Sequence, residues 1–219
     1  MIVYPRLVDE DQLPPQFAQM LGDCLVQHSL LTDPFLVSGI RSYQNGDNIR
    51  DIHWPATARM QELQVRTHDY TSQSRLLVLL NGQTREDQWD GEMNETQPEI
   101  EYAISLAATL CVAVLQAGLT AGFGANMPSD TEGASTLLLP TGGANRQEEL
   151  LTAMARLRMT MTRSFHTFLE DLRDLHDLDI VILSLYDSET LRDHVRQLQL
   201  QGNTVRLYII QQEAVAYVA

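Results

Sequence analysis

The sequence predicts an α/β protein whose doubly wound, mostly parallel β-sheet follows an irregular N-terminal extension. An unbroken apolar run, residues 76–80, is typical of a central parallel strand that is covered on both faces. After residue 73, strand-like and helix-like segments alternate, as they do in doubly wound sheets. Before that point, proline and glycine pairs interrupt the pattern repeatedly. We therefore expect an extension over residues 1–72 and a sheet domain over residues 73–219.

Two regular elements are predicted within the extension. Residues Gln16–Ser29 form a helical segment between proline-rich turns. Within Glu62–Tyr70, the side chains of Leu63, Val65 and Thr67 alternate with polar ones, and this period of two indicates a half-buried strand.

The elements of the sheet domain have recognisable starts and stops. A capping box at Thr96–Glu99, with proline in the first turn, begins a long helix that Gly118 ends. The other predicted elements are, in order, strands Leu119–Ala125 and Ser135–Leu139, the loop Pro140–Asn145, helices that carry Leu150 and Phe165, strand Ile180–Leu185, a helix between Ser188 and Gly202, and strand Val205–Ile210.

Charge and composition exclude several classes of function. The formal net charge is −14, whereas a nucleic-acid-binding surface is basic. All 15 basic residues are arginine, which excludes a Walker-type phosphate loop, a Schiff-base lysine and pyridoxal chemistry. Two cysteines, Cys24 and Cys111, are too few for a disulfide framework or a Cys-rich zinc site. We expect no cofactor and no nucleic-acid partner.

Common motifs of enzymes and membrane proteins are missing from the sequence. No run reaches the roughly 20 apolar residues of a membrane helix, and the acidic N-terminus is unlike a signal peptide, so the chain as given is expected to be soluble. Gly118–Gly124 lacks the spacing of a dinucleotide-binding loop, and there is no Gly-x-Ser-x-Gly elbow. Scattered histidines, among them His166 and His194, are interpreted as ordinary surface or core residues.

One segment, Ser38–Arg59, is far more specific than the rest, and we call it the arginine–aromatic segment. Arginine offers a rigid fork of donors that suits carboxylate or phosphate groups. Its candidate residues are Arg41, Tyr43, Gly46, Asp47, Arg50, His53, Trp54 and Arg59.

Three interpretations of the arginine–aromatic segment remain open. In a structural role, Trp54 is a buried anchor and the arginines pair with Asp47, Asp51 or Glu62. In a binding role, the arginines form a docking surface for an acidic partner or peptide. In a catalytic role, that of a hydrolase, His53 acts together with Asp51 or Asp47.

Three loops are expected at the crevice where open α/β sheets bind ligands, those after Leu80, Leu139 and Leu185. They resemble the three metal-site loops of the von Willebrand factor A fold, whose hard divalent cation requires oxygen ligands. The residues at the corresponding positions are Asn81, Gln83, Arg85, Ala144 and Asp187. Because an arginine repels a cation, we expect this metal site to be lost. The alternative is magnesium- or calcium-dependent ligand binding through Asp187, Thr141 and Thr84.

The arginine–aromatic segment and its lead-in resemble the domain-of-unknown-function-58 family, whose bacterial members are encoded beside MoxR-type AAA+ ATPases. The residues that carry the resemblance are Gly39, Arg41, Tyr43, Gly46-Asp47, Arg50, Ile52-His53-Trp54 and Ala58-Arg59. Pro55 departs from the family pattern, which usually has a lysine after the tryptophan.

This resemblance implies a von Willebrand factor A-like sheet domain and a non-enzymatic role. The chain is then expected to be an adaptor or scaffold that works with a MoxR-type ATPase in cell-envelope or complex-assembly processes. Family members usually carry a pair of transmembrane helices before this region. The resemblance therefore implies that the chain is the soluble portion of a membrane-anchored protein and lies on the cytoplasmic side of the membrane.

Overall fold

A computed structural model describes residues 3–29, 37–43, 52–68, 75–88, 91–92, 97–129 and 135–210. The chain divides into two compact units. The first consists of Met1–Leu25 with Ser74–Ala219, and the second of Val26–Gln73. The second segment of the first unit begins at Ser74, next to the predicted boundary between residues 72 and 73. The first unit also contains residues 1–25, which were predicted to belong to the extension.

The described elements include the helices and strands predicted for the sheet domain, together with β1, α2 and the short strands β4 and β7. In chain order they are a 3-10 turn Glu10–Gln12, α1 Pro15–Ser29, β1 Val37–Ser42, α2 Trp54–Met60, β2 Gln64–His68, β3 Arg75–Leu80, β4 Gly91–Glu92, α3 Gln97–Gln116, β5 Thr120–Ala125, β6 Thr136–Thr141, α4 Arg146–Ala155, β7 Thr160–Met161, α5 Phe165–Glu170, β8 Asp179–Ser184, α6 Glu189–Leu200 and β9 Thr204–Ile209.

Five strands form the main sheet in the order β6-β5-β3-β8-β9. The pairs β3–β5, β3–β8 and β8–β9 are parallel, and β6 is antiparallel to β5. The first strand of the sheet in chain order, β3, therefore lies in the middle, which is the arrangement of a doubly wound fold. The predicted α/β class with a mostly parallel sheet is confirmed.

The alternating side chains of β3 supply both cores of the sheet unit. Leu76, Val78 and Leu80 pack in the core that includes α3 and α4. Leu77 and Leu79 pack in the core that includes α5 and α6. All five side chains have no exposed surface, as an apolar run without polar alternation predicts.

Helix α3 is the longest element and contributes most of one core. Within the described residues, only its segment Pro98–Gln116 has the length and mean hydropathy of a membrane span. Most of that segment is buried inside the protein, as in the core helix of an α/β layer. Its predicted end is confirmed, because Gly118 adopts a left-handed φ of 80° just beyond Gln116.

The expectation that the loop Pro140–Asn145 joins the ligand crevice is wrong. Because β6 is antiparallel to β5, Thr136 pairs with Ala125, whereas Thr141 pairs with Ala121 near the start of β5. The loop after β6 therefore lies at the amino end of the parallel strands. The strand also continues through Pro140, whose missing N–H is tolerated on an edge strand.

In the second unit, β1 and β2 pair antiparallel, and Ile52 bridges to Val65 of β2. Ile52 and Val65 are buried. Helix α2 contains no buried residue, and it ends where Gln61 adopts a left-handed φ of 56°. The unit described by these residues is thus a small sheet with a surface helix before β2.

Candidate functional site

Buried amide side chains occupy the carboxyl edge of the sheet. Asn81, directly after β3, has no exposed surface. Its Nδ2 donates to Oγ of Ser184 at the end of β8, at 3.1 Å. Its Oδ1 accepts the backbone N–H of Gln83 at 3.0 Å. One side chain therefore ties the loop after β3 to its own turn and to the neighbouring strand.

Gln83 extends these contacts to the helix on one face of the sheet. Its Oε1 accepts the backbone N–H of Phe165, the first residue of α5, at 2.6 Å. Its Nε2 donates to the carbonyl oxygen of Gln88 at 2.9 Å. The side chain is 1% exposed, so both bonds are shielded from water.

A third amide closes the arrangement from β5. Asn126, directly after β5, accepts the backbone N–H of Gly82 at 2.8 Å and donates to the carbonyl oxygen of Arg163 at 3.2 Å. We call Asn81, Gln83, Asn126 and Ser184 the amide network. Each of its amides donates and accepts within the protein, so the loops at this edge are fixed by internal hydrogen bonds.

The other predicted metal-site residues do not join the amide network. Arg85 is exposed, and its Nε lies 3.4 Å from Asp87. Asp187 accepts from Nε of Arg192 at 2.8 Å, and the pKa of its carboxyl is lowered by this hydrogen bond. Ala144 and Thr141 lie at the opposite edge of the sheet.

No group of three or more His, Cys, Asp or Glu side chains in the described parts of the chain is arranged to hold a metal ion. Thr84, the third residue of the alternative metal site, donates its hydroxyl hydrogen to Oε1 of Gln88 at 3.0 Å. Loss of the metal site stays a prediction, and the alternative ligand set is contradicted by the position of Thr141.

A small cavity of about 30 Å³ lies beside the amide network. Gln83, Tyr186, His166 and His194 are among the residues that line it. Pockets for small-molecule ligands usually measure about 300–1,000 Å³. This cavity is too small for a nucleotide-sized ligand, and a wide, open depression of about 700 Å³ lined by Asp187, Ser188 and Arg192 adjoins it at Ser188.

Two histidines from different helices meet at this cavity. His194 of α6 is 7% exposed, and its Nε2 is in hydrogen-bond contact with Nδ1 of His166 of α5. The two ring centroids are 4.1 Å apart with an interplanar angle of 69°. Nε2 of His166 faces the carboxylate of Glu170 at 3.7 Å. The sequence gives no sign of this contact, because the two histidines are 28 positions apart and belong to no common motif.

Part of the arginine–aromatic segment lies outside the described residues, namely Gly46, Asp47, Arg50 and Asp51. Arg41 lies in β1, and its backbone pairs with Val65. Tyr43 is half-buried, and its backbone N–H donates to the carbonyl oxygen of Leu63 at 2.8 Å.

His53 caps the surface helix of the same segment. Its Nδ1 accepts the backbone N–H of Ala56 at 3.1 Å, which satisfies one of the free amides in the first turn of α2. The ring therefore has a structural contact in which Nδ1 is unprotonated. A role for His53 as a catalytic base stays untested.

The prediction that Trp54 is a buried anchor is wrong. Its side chain is 63% exposed, because it begins a surface helix that contains no buried residue. Buried Ile52 is the anchor instead. Trp54, Pro55, Ala58 and Arg59 are all exposed, and at 100° per residue they span about 140° of the helix. We call these four residues the Trp54 face.

The two cysteines are unsuited to nucleophilic chemistry. Both are free and buried. Burial raises the pKa of the Cys24 thiol to about 11 and that of Cys111 to about 12. Since the thiolate is the reactive form, neither side chain is activated.

Comparison with known families matches residues 39–183 to the family described as Protein of unknown function DUF58. The match covers more than half of the chain, and the protein therefore belongs to this family. The matched range includes the arginine–aromatic segment from Gly39 onward and the whole Trp54 face. It also includes Asn81, Gln83 and Asn126 of the amide network and ends one residue before Ser184. No curated protein and no solved structure shows a significant match.

Proposed function

We propose that this protein is a non-enzymatic interaction module, an adaptor or scaffold for a MoxR-type AAA+ ATPase. The observation that carries the proposal is the exposure of Trp54 within the segment that resembles the family. An exposed tryptophan leaves a large apolar surface in water, and such surfaces mark interaction sites when polar groups border them. Arg59 on the same face supplies such a group.

The composition of the Trp54 face suits protein recognition. Tryptophan and arginine are the residues most enriched among those that dominate binding energy at protein interfaces. Arginine pairs with carboxylates through two parallel hydrogen bonds, so an acidic segment of the ATPase is the partner we propose.

The amide network supports a binding role over a catalytic one. At the edge where doubly wound sheets usually bind ligands, the amide side chains are engaged by backbone N–H groups of the loops and by Ser184. We propose a von Willebrand factor A-like identity for this sheet, with its metal loops converted to a structural joint. A role in cell-envelope or complex assembly at the cytoplasmic membrane surface is proposed from the family resemblance alone.

Association can be measured by biolayer interferometry between the full chain and a MoxR-type AAA+ ATPase from the same organism, with and without nucleotide. We expect binding in at least one nucleotide state. Trp54→Ala should weaken it by about 30-fold or more, the factor that corresponds to loss of ~2 kcal/mol at a central interface residue. Arg59→Ala should weaken it in the same direction.

Leu200→Ala is the matched control, because Leu200 is an 88% exposed apolar residue on α6 in the other unit. It should leave the affinity unchanged. If the ATPase fails to associate in every nucleotide state, the adaptor role is rejected. If Trp54→Ala and Leu200→Ala bind equally well, the ATPase docks elsewhere and the Trp54 face is not its site.

A further inference from the structure

In the contact between His166 and His194, one ring nitrogen of each imidazole points at the other. Nδ1 of His166 and Nε2 of His194 are in direct contact, so either one nitrogen donates a proton to the other or the rings separate to admit a cation. Helices α5 and α6 hold the two rings from opposite sides of the cavity of about 30 Å³. We propose that this pair is a two-histidine site for a borderline transition-metal ion such as Zn²⁺.

The surroundings of His166 favour metal binding through Nδ1. A metal-bound histidine usually directs its other ring nitrogen to a carboxylate, which fixes the tautomer and raises the basicity of the ligand. Nε2 of His166 lies 3.7 Å from Oε1 of Glu170, so this carboxylate, which also accepts from Arg173 at 2.8 Å, has to move slightly closer to complete the arrangement. Glu170 would therefore position His166 rather than bind the ion.

The site has room for the small adjustment that an ion requires. Zinc–nitrogen distances of about 2.0–2.1 Å in tetrahedral geometry separate the two nitrogens by about 3.4 Å. The side chain of His166 is half exposed, so its ring can move outward while buried His194 stays in place. The adjoining cavity can then hold the ion with a water ligand.

The ligand set defines which ions bind. Imidazole suits Zn²⁺, Cu²⁺, Ni²⁺ and Co²⁺, whereas Mg²⁺ and Ca²⁺ require oxygen ligands. With two protein ligands, water fills the remaining positions, so the ion is exchangeable and its coordination is open. This property is independent of the proposed adaptor role and differs from the von Willebrand-type site, which would bind Mg²⁺.

The test is calorimetric titration of the tag-free, chelator-treated full chain with ZnCl₂, and in a parallel arm with MgCl₂. We expect one equivalent of Zn²⁺ to bind and Mg²⁺ to produce no heat. His166→Gln and His194→Gln should each weaken Zn²⁺ binding by about tenfold or more, and Glu170→Gln by about tenfold. His166→Gln is the safer variant for folding, because that side chain is half exposed.

His176→Gln is the matched control, since His176 is an exposed histidine that pairs only with a carboxylate, Asp177, at 3.0 Å. It should leave Zn²⁺ affinity unchanged. The proposal is overturned if no Zn²⁺ binds at millimolar concentration, which would make the pair a simple hydrogen bond. It is also overturned if His166→Gln, folded by circular dichroism, binds Zn²⁺ as tightly as the parent chain.

Discussion

At the scale of single residues, Gln83 occupies a position that corresponds to a metal ligand in the von Willebrand factor A fold. Its amide side chain connects the loop after β3 to helix α5. Its carbonyl oxygen accepts the first N–H of α5, and its NH₂ group donates to the loop that follows β3. A carboxylate could accept but not donate, and it would be costly to bury without a cation. The glutamine therefore does by hydrogen bonding what an ion would do by coordination.

Gln83→Ala should lower the free energy of unfolding by about 2–3 kcal/mol, because it leaves the buried N–H of Phe165 without its acceptor. Urea denaturation followed by circular dichroism measures the change. Gln147→Ala, at an exposed position of α4, is the control and should change stability by less than about 0.5 kcal/mol. Equal stability of the two variants would show that the network does not stabilise the fold.

At the scale of elements, the reversed edge strand β6 determines which loops can meet. Its antiparallel pairing moves Pro140–Asn145 away from the crevice. The loop before α5 occupies the crevice instead, where Arg163 and Phe165 bond to the amide network. A parallel β6 would have required a crossover connection of a dozen or more residues, and only ten residues separate β5 from β6.

The contact between β5 and β6 depends on Gly122. A Cβ atom at Gly122 would lie 2.6 Å from both the carbonyl oxygen of Leu138 and the nitrogen of Pro140. Both are backbone atoms, so side-chain rotation cannot relieve the overlap.

Gly122→Ala should therefore destabilise the protein by about 1–3 kcal/mol or more, as forced overpacking does. Thermal and urea unfolding measure the difference. Gly142→Ala, directly after β6, is the control, because its Cβ would make only an ordinary 3.5 Å contact with Thr120. Unchanged stability of Gly122→Ala would contradict the close approach of the two strands.

At the scale of the whole molecule, folding brings His194 into an environment that disfavours its charged form. Burial lowers the pKa of His194 below its ordinary value of 6.5, and the neighbouring His166 lowers it further. Arg173 acts in the same direction, whereas Glu170 and Asp193 oppose it. The folded protein therefore binds fewer protons at this site than the unfolded chain does.

The free energy of unfolding should consequently fall as the pH is lowered through 6.5, and the loss should end once the pH is below the folded-state pKa. Above pH 5, ordinary carboxylates stay ionised and contribute little to this slope. Urea denaturation between pH 5 and pH 8 in EDTA measures it. His194→Gln should flatten the profile, whereas His176→Gln should not. A profile that is identical in both variants would contradict the assignment to His194.

Much of the fold was predictable from local patterns. The buried run of β3, the end of α3 at Gly118 and the cap of α6 by Ser188 all follow from short-range chemistry, and the structure confirms them. Helix α3 begins at Gln97, but its predicted cap, Thr96, lies outside the described residues. Half of the amide network was also predictable, since Asn81 and Gln83 follow a central strand. Asn126 could have been found by the same rule, because it directly follows β5.

Other features could not be predicted, because they depend on partners distant in sequence. The exposure of Trp54 depends on α2 lying on the surface, and a tryptophan between apolar neighbours has the same local pattern whether it is buried or exposed. The contact of His166 with His194 depends on the packing of α5 against α6. Periodicity describes one element at a time and contains no information on such pairs.

The sequence by itself determined the α/β class, the order of strands and helices, and the family to which this chain belongs. These properties depend on hydrophobic periodicity, helix caps and a dense local motif, all of which can be identified in the sequence itself. Only the tertiary structure decided the direction of β6, the closed amide network, the surface position of Trp54 and the two-histidine contact. The reason is physical: burial and hydrogen-bond partners are properties of the packed chain, and residues far apart in sequence supply them.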